Sequence, residues 1–186
     1  MSKLETNQVD PATGTTLTLG TSGDTIAIPS GVTMANSGTA TGFNNPAFFA
    51  YKTGSTQSLV SGAVTKVTFD TELYDSDSDF ATSTFTPTTA GKYFFTTSVL
   101  CGADAGTVRY VNAYIRKNGS TNFGTYSPED NGNNLNGAGV STSVTYDMNG
   151  SSDYVEVYAQ CQGTSPLVKY DNNGFTTYFQ GYRIGT

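Results

Sequence analysis

Three aspartates alternate with serines between residues 75 and 79. Asp75, Asp77 and Asp79 place a carboxylate at every second position, and hard oxygen ligands of this kind suit Ca²⁺. The spacing does not match an EF-hand loop, because Phe80 and Thr86 occupy the positions that require glycine and glutamate. Two interpretations remain open: a calcium site, with calcium as the only cofactor, or a solvated surface loop.

A long polar stretch from residue 118 to residue 139 combines amide, aromatic and carboxylate side chains. Amides can pair with sugar hydroxyls, and aromatic rings offer a stacking surface. Connections of this length are often functional. The stretch predicts either a recognition loop for a host surface glycan or a variable loop that makes contacts within an assembly. The candidate recognition residues are Asn118, Phe123, Tyr126, Glu129, Asp130 and Asn134.

Catalysis finds little support in the residue types. The chain has no histidine, which excludes Ser-His-Asp and Cys-His catalysis and His-ligated metal sites. Paired carboxylates could cleave glycosides. However, Glu72, Glu129 and Glu156 fall in a predicted turn, loop and strand with no evident shared cleft. We therefore expect that the protein is not an enzyme.

Charge and hydropathy exclude two further classes of partner. Nine Lys and Arg residues stand against fifteen Asp and Glu residues, giving a net charge of -6. Nucleic-acid binding needs a concentrated basic face, so no nucleic acid is expected as a ligand. No apolar run is long enough to span a membrane, and the polar opening lacks an apolar signal segment. We expect assembly in a host cytoplasm and no membrane contact.

Two cysteines, Cys101 and Cys161, each end an apolar or aromatic run. Buried free thiols are one interpretation. A disulfide is the other, if the protein later meets an oxidising medium.

The elements that must position these residues are short strands. The chain is rich in β-branched, aromatic and turn residues, and no helical period appears. Alternating patterns predict strands over 47–51, 65–69, 93–100, 109–116, 140–146, 153–159 and 174–184. Many short strands separated by turns indicate an all-β sandwich or jelly roll.

Residues 1–42 form a predicted attachment or stalk segment that differs from the remainder. Three short strands are expected within it, separated by turns at 21–24 and 29–31. One copy cannot bury the apolar side chains that these strands present. We expect burial against two symmetry mates, as in a three-chain β-prism or spiral, or against a partner surface; the alternative is a flexible tail. The apolar residues assigned to attachment are Leu17, Leu19, Ile26, Ile28 and Val32.

Residues 43–186 carry four passages with a family pattern, at 67–75 (VTFDTELYD), 85–95 (FTPTTAGKYFF), 115–119 (IRKNG) and 179–184 (FQGYRI). Together they resemble the globular head of complement C-one-q, which shares a ten-stranded jelly roll with the tumour necrosis factor ligands. The family signature corresponds here to Phe85, Pro87, Gly91, Tyr93 and Phe95. The resemblance implies a turn at residues 73–74 and a surface turn at residues 75–79.

The resemblance implies a homotrimer in which aromatic side chains of one sheet line the three-fold axis. The residues that could furnish this face are Tyr110, Tyr114, Tyr154, Tyr158, Phe175, Tyr178 and Tyr182.

The segment from Leu4 through Gly20 to Val32 is similar in repeat style to the openings of bacteriophage tail-fibre and other virion proteins. The resemblance implies a non-enzymatic virion protein that contacts other tail or capsid proteins through residues 1–42. A trimeric fibre or receptor-binding protein is the favoured function. A trimeric capsid decoration or cement protein is the alternative, and a secreted complement-head-like recognition protein is a remote one.

Overall fold

The structure is a computed structural model that describes residues 9, 13–37, 45–126, 135–170 and 174–185. Its regular elements are β-strands. Within those ranges there are thirteen strands and no helix. The strands are β1 (Ala47–Tyr51), β2 (Gln57–Ser58), β3 (Val64–Lys66), β4 (Thr71–Asp75), β5 (Phe80–Ala81), β6 (Thr84–Phe85), β7 (Gly91–Gly102), β8 (Val108–Lys117), β9 (Thr121–Tyr126), β10 (Gly137–Met148), β11 (Val155–Gly163), β12 (Leu167–Val168) and β13 (Tyr178–Gly185).

The strands form two antiparallel sheets that enclose one core. The seven-stranded sheet has the order β2-β12-β7-β13-β1-β4, and β10 also pairs with β7. The six-stranded sheet has the order β5-β6-β11-β8-β9, and β3 also pairs with β11. Because side chains alternate along each strand, each sheet presents one face to the core and one face outward.

Aromatic rings fill the core between the sheets. Phe48 is fully buried; its ring stacks on Phe85 with centroids 4.3 Å apart and meets Phe179 edge-on at 4.9 Å. Gly181 lies beside this cluster, where a Cβ atom would come within 2.5 Å of the Phe95 ring. Only glycine fits this position, since the adjacent rings leave no space for a methyl group.

Most of the longer predicted strands are confirmed. The strand predicted over 47–51 is β1, and the predicted alternation along β8 is correct, with Val111, Ala113 and Ile115 fully buried. Along β11, Val155 and Val157 are buried as expected. These positions were predictable because their strands have one apolar face and one polar face.

Two sequence interpretations in this part of the chain are wrong. Residues 73 and 74, predicted as a turn, lie within strand β4, which pairs with β1. The polar stretch 118–139 is not one loop, because it contains β9 and the first residues of β10. Strands β4 and β9 lack the alternation of apolar and polar residues that predicts a strand from sequence. Only their pairing with neighbouring strands defines them.

The chain divides into two units, Met1–Phe43 and Asn44–Thr186. In the first unit the predicted turns are confirmed by hydrogen bonds from Asp24 N to Thr21 O (3.0 Å) and from Val32 N to Pro29 O (3.2 Å). The three predicted strands are wrong for a single chain, since residues 13–37 contain no strand. A strand needs a hydrogen-bonded neighbour, and this segment supplies none to itself.

Candidate functional site

The seven residues predicted to form one trimer face lie on two different sheets. Phe175, Tyr178 and Tyr182 lie on or just before β13, in the seven-stranded sheet. The other four lie on β8, on β11 or immediately before β11, in the six-stranded sheet: Tyr110, Tyr114, Tyr154 and Tyr158. The two groups point away from the core on opposite sides, so the prediction of a single shared face is corrected.

On the seven-stranded sheet, five rings form a continuous patch, which we call the outer ring cluster. Its members are Phe49, Tyr51, Tyr74, Phe175 and Tyr178. The Phe49 ring stacks on Tyr178 with centroids 5.4 Å apart and meets Phe175 at 5.2 Å, while Tyr51 and Phe175 meet edge-on at 4.8 Å. Phe175 is 50% exposed and Tyr74 is 47% exposed. An aromatic patch of this kind on a sheet face is typical of an interaction surface.

Sequence reasoning missed three members of the outer ring cluster. Phe49 and Tyr51 could have been found, because the alternation of β1 places them opposite the buried Phe48. Tyr74 could not, since its position depends on the register in which β4 pairs with β1, where it lies opposite Phe49. An irregularity in that pairing between Phe49 and Ala50 further obscures the register.

On the six-stranded sheet, two tyrosines and two amides lie together on the outward face, which we call the tyrosine–amide platform; three of them, Asn112, Tyr114 and Gln160, are hydrogen-bonded to one another. Its members are Asn112, Tyr114, Tyr158 and Gln160. Asn112 Nδ2 donates to Gln160 Oε1 (2.9 Å), and Tyr114 Oη donates to the same oxygen (3.0 Å). Beside them, the Arg116 guanidinium carbon lies 4.3 Å from the Tyr158 ring centroid.

A charged network borders this platform. Lys66 Nζ lies 2.7 Å from Glu156 Oε1, to which Thr84 Oγ1 also donates, and Tyr158 Oη donates to Glu156 Oε2 (2.8 Å). Burial opposes ionisation of Glu156, but the hydrogen bonds outweigh it, so the pKa of this carboxyl lies below its usual value. Desolvation and the bond to Glu156 raise the pKa of the Tyr158 hydroxyl.

The three alternating aspartates do not converge on one point. Asp75 Oδ2 accepts from Phe80 N (2.8 Å), and Asp79 Oδ2 accepts from Thr88 N (3.1 Å). Within the described ranges, no three Asp, Glu, Cys or His side chains form a group that could hold a metal ion. Asp79 is only 6% exposed, and burial raises the pKa of its carboxyl. Asp75 closes the turn between β4 and β5, and Asp79 ties that turn to Thr88 in the loop after β6.

The predicted recognition residues are only partly described. Asn118 is a turn residue with φ of 53°; its Oδ1 accepts from Tyr154 N (2.9 Å) and its Nδ2 donates to Asp153 Oδ1 (2.8 Å). Phe123 and Tyr126 lie on β9, but their side chains are outside the described part of the structure. Glu129, Asp130 and Asn134 also lie outside the described residues.

The apolar residues assigned to attachment are all exposed. Leu17, Leu19, Ile26, Ile28 and Val32 have between 43% and 61% of their surface exposed. The backbone between the two turns of this unit is irregular, so these side chains have no sheet to pack against within residues 13–37.

The two cysteines are free thiols and fully buried. Cys101 lies on β7 and Cys161 on β11, so they belong to different sheets. A hydrogen bond with Cys161, together with burial, raises the pKa of the Cys101 thiol.

The described segments include no helix that is long and apolar enough to cross a membrane.

No protein-family model and no curated protein matches the chain. Among solved structures, the chain is similar to murine APRIL at pH 5.0 (11% identity, TM-score 0.51) and at pH 8.0 (10% identity, TM-score 0.52). Each alignment covers 76% of this chain and all of the other. At this identity the similarity shows the fold alone. The predicted jelly roll of the tumour necrosis factor type is therefore confirmed.

Proposed function

We propose that the protein is a non-enzymatic, homotrimeric bacteriophage virion protein that attaches the particle to its host. Residues 43–186 form the trimeric head in this proposal, and residues 1–42 connect the head to other tail or capsid proteins. The phage context rests on the repeat style of the N-terminal segment. The resemblance of the head to the complement family remains a sequence-based interpretation.

The observation that carries the proposal is the outer ring cluster. Because Phe175 and Tyr74 are about half exposed, each forfeits about half of the free energy of fully burying an aromatic side chain, roughly 1 kcal/mol each. A neighbouring copy that covers these rings recovers that free energy. A cyclic arrangement of three copies can repeat the contact around one axis and leave no cluster uncovered. Jelly rolls of this fold type are consistent with a trimeric state.

The exposed leucines, isoleucines and valine of residues 17–32 support the second part of the proposal. Apolar side chains at regular spacing are not typical of a solvated linker. Covering them with symmetry mates or with another virion protein would bury this surface and complete the hydrogen bonds of the extended backbone.

Competition for adsorption tests the attachment function. Purified protein, added to cells of the bacterial strain that supports the virus, is expected to occupy the receptor and lower the adsorption rate of intact particles. A version lacking residues 1–42, with its trimeric state verified by light scattering, serves as a matched competitor that cannot join the virion. Unchanged particle adsorption at saturating protein would refute the attachment function.

The number of copies per virion distinguishes attachment from capsid decoration. Quantitative mass spectrometry against the major capsid protein gives this number directly. A few to a few tens of copies place the protein at the tail or a vertex. Hundreds of copies place it over the capsid lattice and favour the decoration function.

A further inference from the structure

Cys101 and Cys161 are reactive groups that neither the trimer contact nor the attachment function uses. Both thiols are free and fully buried in the structure. We propose that they are a redox pair, which a peroxide oxidises to an intramolecular disulfide that joins the two sheets and stabilises the head. This inference concerns the interior of the head and does not depend on the attachment function.

The first argument is the position of the two cysteines at the same end of the sandwich. Cys101 on β7 lies opposite Val168 of β12, and a short connection joins β12 to β11, where Cys161 lies. Cys161 in turn lies opposite Val111 of β8, and another short connection joins β8 to β7. Strands β7 and β11 belong to different sheets, yet some of their Cα atoms approach within 8 Å of one another. The cysteines therefore face each other across the core.

The second argument is the small size of the side chains at this end of the core. Along β7 the buried side chains change from the aromatic Tyr93 and Phe95 to the small Cys101. Along β11 the buried side chains end in Ala159 and Cys161. Close packing of small side chains lets the two sheets approach each other, which brings groups of facing strands into contact.

The third argument is the hydrogen bond between the two thiols, which leaves no other side chain between the sulfur atoms. The bond from Cys101 lowers the pKa of the Cys161 thiol, whereas the bond together with burial raises the pKa of the Cys101 thiol. The thiolate is the form of cysteine that reacts with peroxides. Cys161 is therefore assigned as the attacking sulfur and Cys101 as the resolving sulfur.

One molecule of hydrogen peroxide balances the reaction. The Cys161 thiolate attacks a peroxide oxygen, the O–O bond breaks, and a sulfenic acid forms while the departing hydroxide takes up the proton of the Cys161 thiol. The Cys101 sulfur then attacks the sulfenic sulfur, the S–O bond breaks, and the hydroxide leaves with the Cys101 proton. The two sulfurs are oxidised, the peroxide is reduced to two waters, and the protein loses two hydrogen atoms.

The fourth argument is the short strands that flank the pair. In its ladder Cys101 is bordered by β12, which has two residues and pairs with β2, also of two residues. Strand β11 is bordered near Cys161 by β3, which has three residues. Short ladders open locally at a lower free energy than long strands do. A molecule as small as hydrogen peroxide can reach the thiols through such openings.

Peroxide treatment of the full chain, purified with a reductant that is then removed, tests the inference. Hydrogen peroxide is added to the native protein and destroyed with catalase; remaining thiols are then trapped with maleimide in denaturant. Trypsin digestion without reductant places Cys101 in peptide 93–109 and Cys161 in peptide 118–169. Met34 is 61% exposed, so its oxidation to the sulfoxide verifies that the peroxide was active. Cys101→Ala and Cys161→Ala, which each retain one cysteine, are the matched controls.

The expected result is a disulfide that links the two peptides, with a mass two hydrogen atoms below their sum and no maleimide adduct. Wild-type protein that carries two maleimide adducts although Met34 is oxidised would overturn the proposal. A disulfide between two chains, visible as a dimer on a non-reducing gel, would also overturn it. In Cys101→Ala we expect a sulfenic acid at Cys161 that dimedone traps on unfolding, whereas Cys161→Ala keeps a free thiol. The reverse reactivity would overturn the assignment of Cys161 as the attacking sulfur.

Thermal unfolding measures the effect of the disulfide on the head. The bond closes a loop of about 60 residues and lowers the entropy of the unfolded chain, so the melting temperature is expected to rise by roughly 8–16 °C on oxidation. Peroxide-treated Cys101→Ala is expected to show no such rise, which separates the disulfide from the oxidation of methionine. Equal melting temperatures of oxidised and reduced wild-type protein would overturn the stabilising role.

Discussion

Adjacent phenylalanines on β1 give the sharpest test of how the head is built. Phe48 points into the core and is fully buried, while Phe49 points outward into the outer ring cluster. Replacing each by alanine removes the same atoms from neighbouring positions of one strand. The pair therefore separates the contribution of the core from that of the outward face.

The expected magnitudes differ because the surroundings differ. The Phe48 ring stacks at 4.3 Å on Phe85 and at 5.1 Å on Phe80. Emptying this site leaves a cavity between packed rings, so Phe48→Ala is expected to lower the free energy of unfolding by about 3–5 kcal/mol. For a chain of this size the melting temperature then falls by roughly 6–20 °C. Phe49→Ala leaves no closed cavity and removes ring contacts that each contribute about 0.5–1.5 kcal/mol.

Urea unfolding at several protein concentrations measures both effects, with tyrosine fluorescence as the signal because the chain has no tryptophan. Phe48→Ala is expected to lower the unfolding midpoint at every concentration. Phe49→Ala is expected to raise the concentration at which the trimer dissociates. If Phe49→Ala lowers the midpoint as much as Phe48→Ala does and leaves dissociation unchanged, the assignment of the outer ring cluster to the trimer contact is refuted.

Three further predictions concern single sites of the head. Gly181→Ala places a Cβ atom 2.5 Å from the Phe95 ring, so we expect a loss of about 1–3 kcal/mol of stability in chemical denaturation, and an unchanged midpoint would contradict the close packing. Burial raises the pKa of the Asp79 carboxyl, and its Oδ1 has no hydrogen-bond partner, so the ionised carboxylate destabilises the folded state. The free energy of unfolding therefore gains from this group as the pH falls through its pKa in the folded state. Asp79→Asn is therefore expected to gain about 1–3 kcal/mol at pH 7, with the gain over wild type shrinking in acid; equal gains at both pH values would exclude a titrating Asp79. Cys101 and Cys161 are buried and the pKa of Cys101 is raised, so a thiol reagent is expected to label neither residue in the native protein and both after unfolding, as read by intact mass.

The sequence was informative where one face of a strand is apolar. In β1, β8 and β11 the alternation identifies both the strand and its buried side chains. It failed for strands of two residues, such as β5 and β12, because two positions cannot display a period. It also failed for β4, where exposed Leu73 and Tyr74 lie in a strand rather than a turn.

The candidate surfaces depend on information that local sequence does not contain. Tyr114 and Tyr178 have similar surroundings in sequence, yet they lie on opposite faces of the molecule because their strands belong to different sheets. The position of Gly124 opposite Tyr114 likewise follows only from the register in which β9 pairs with β8. In residues 13–37 the alternation is present but a single chain contains no strand there, since a pattern defines a strand only when a partner completes its ladder.

The molar mass of the purified full-length protein in solution, measured by light scattering across a dilution series, tests the central claim most directly. One chain has a mass of 19.6 kDa, so three chains give about 59 kDa. The account predicts a stable species of that mass. Phe49→Ala is expected to make it dissociate at a higher protein concentration, and Tyr170→Ala, at a half-buried tyrosine outside the outer ring cluster, is the control that leaves dissociation unchanged. A species of 19.6 kDa at all concentrations would contradict both the homotrimer and the assignment of the outer ring cluster as its contact surface.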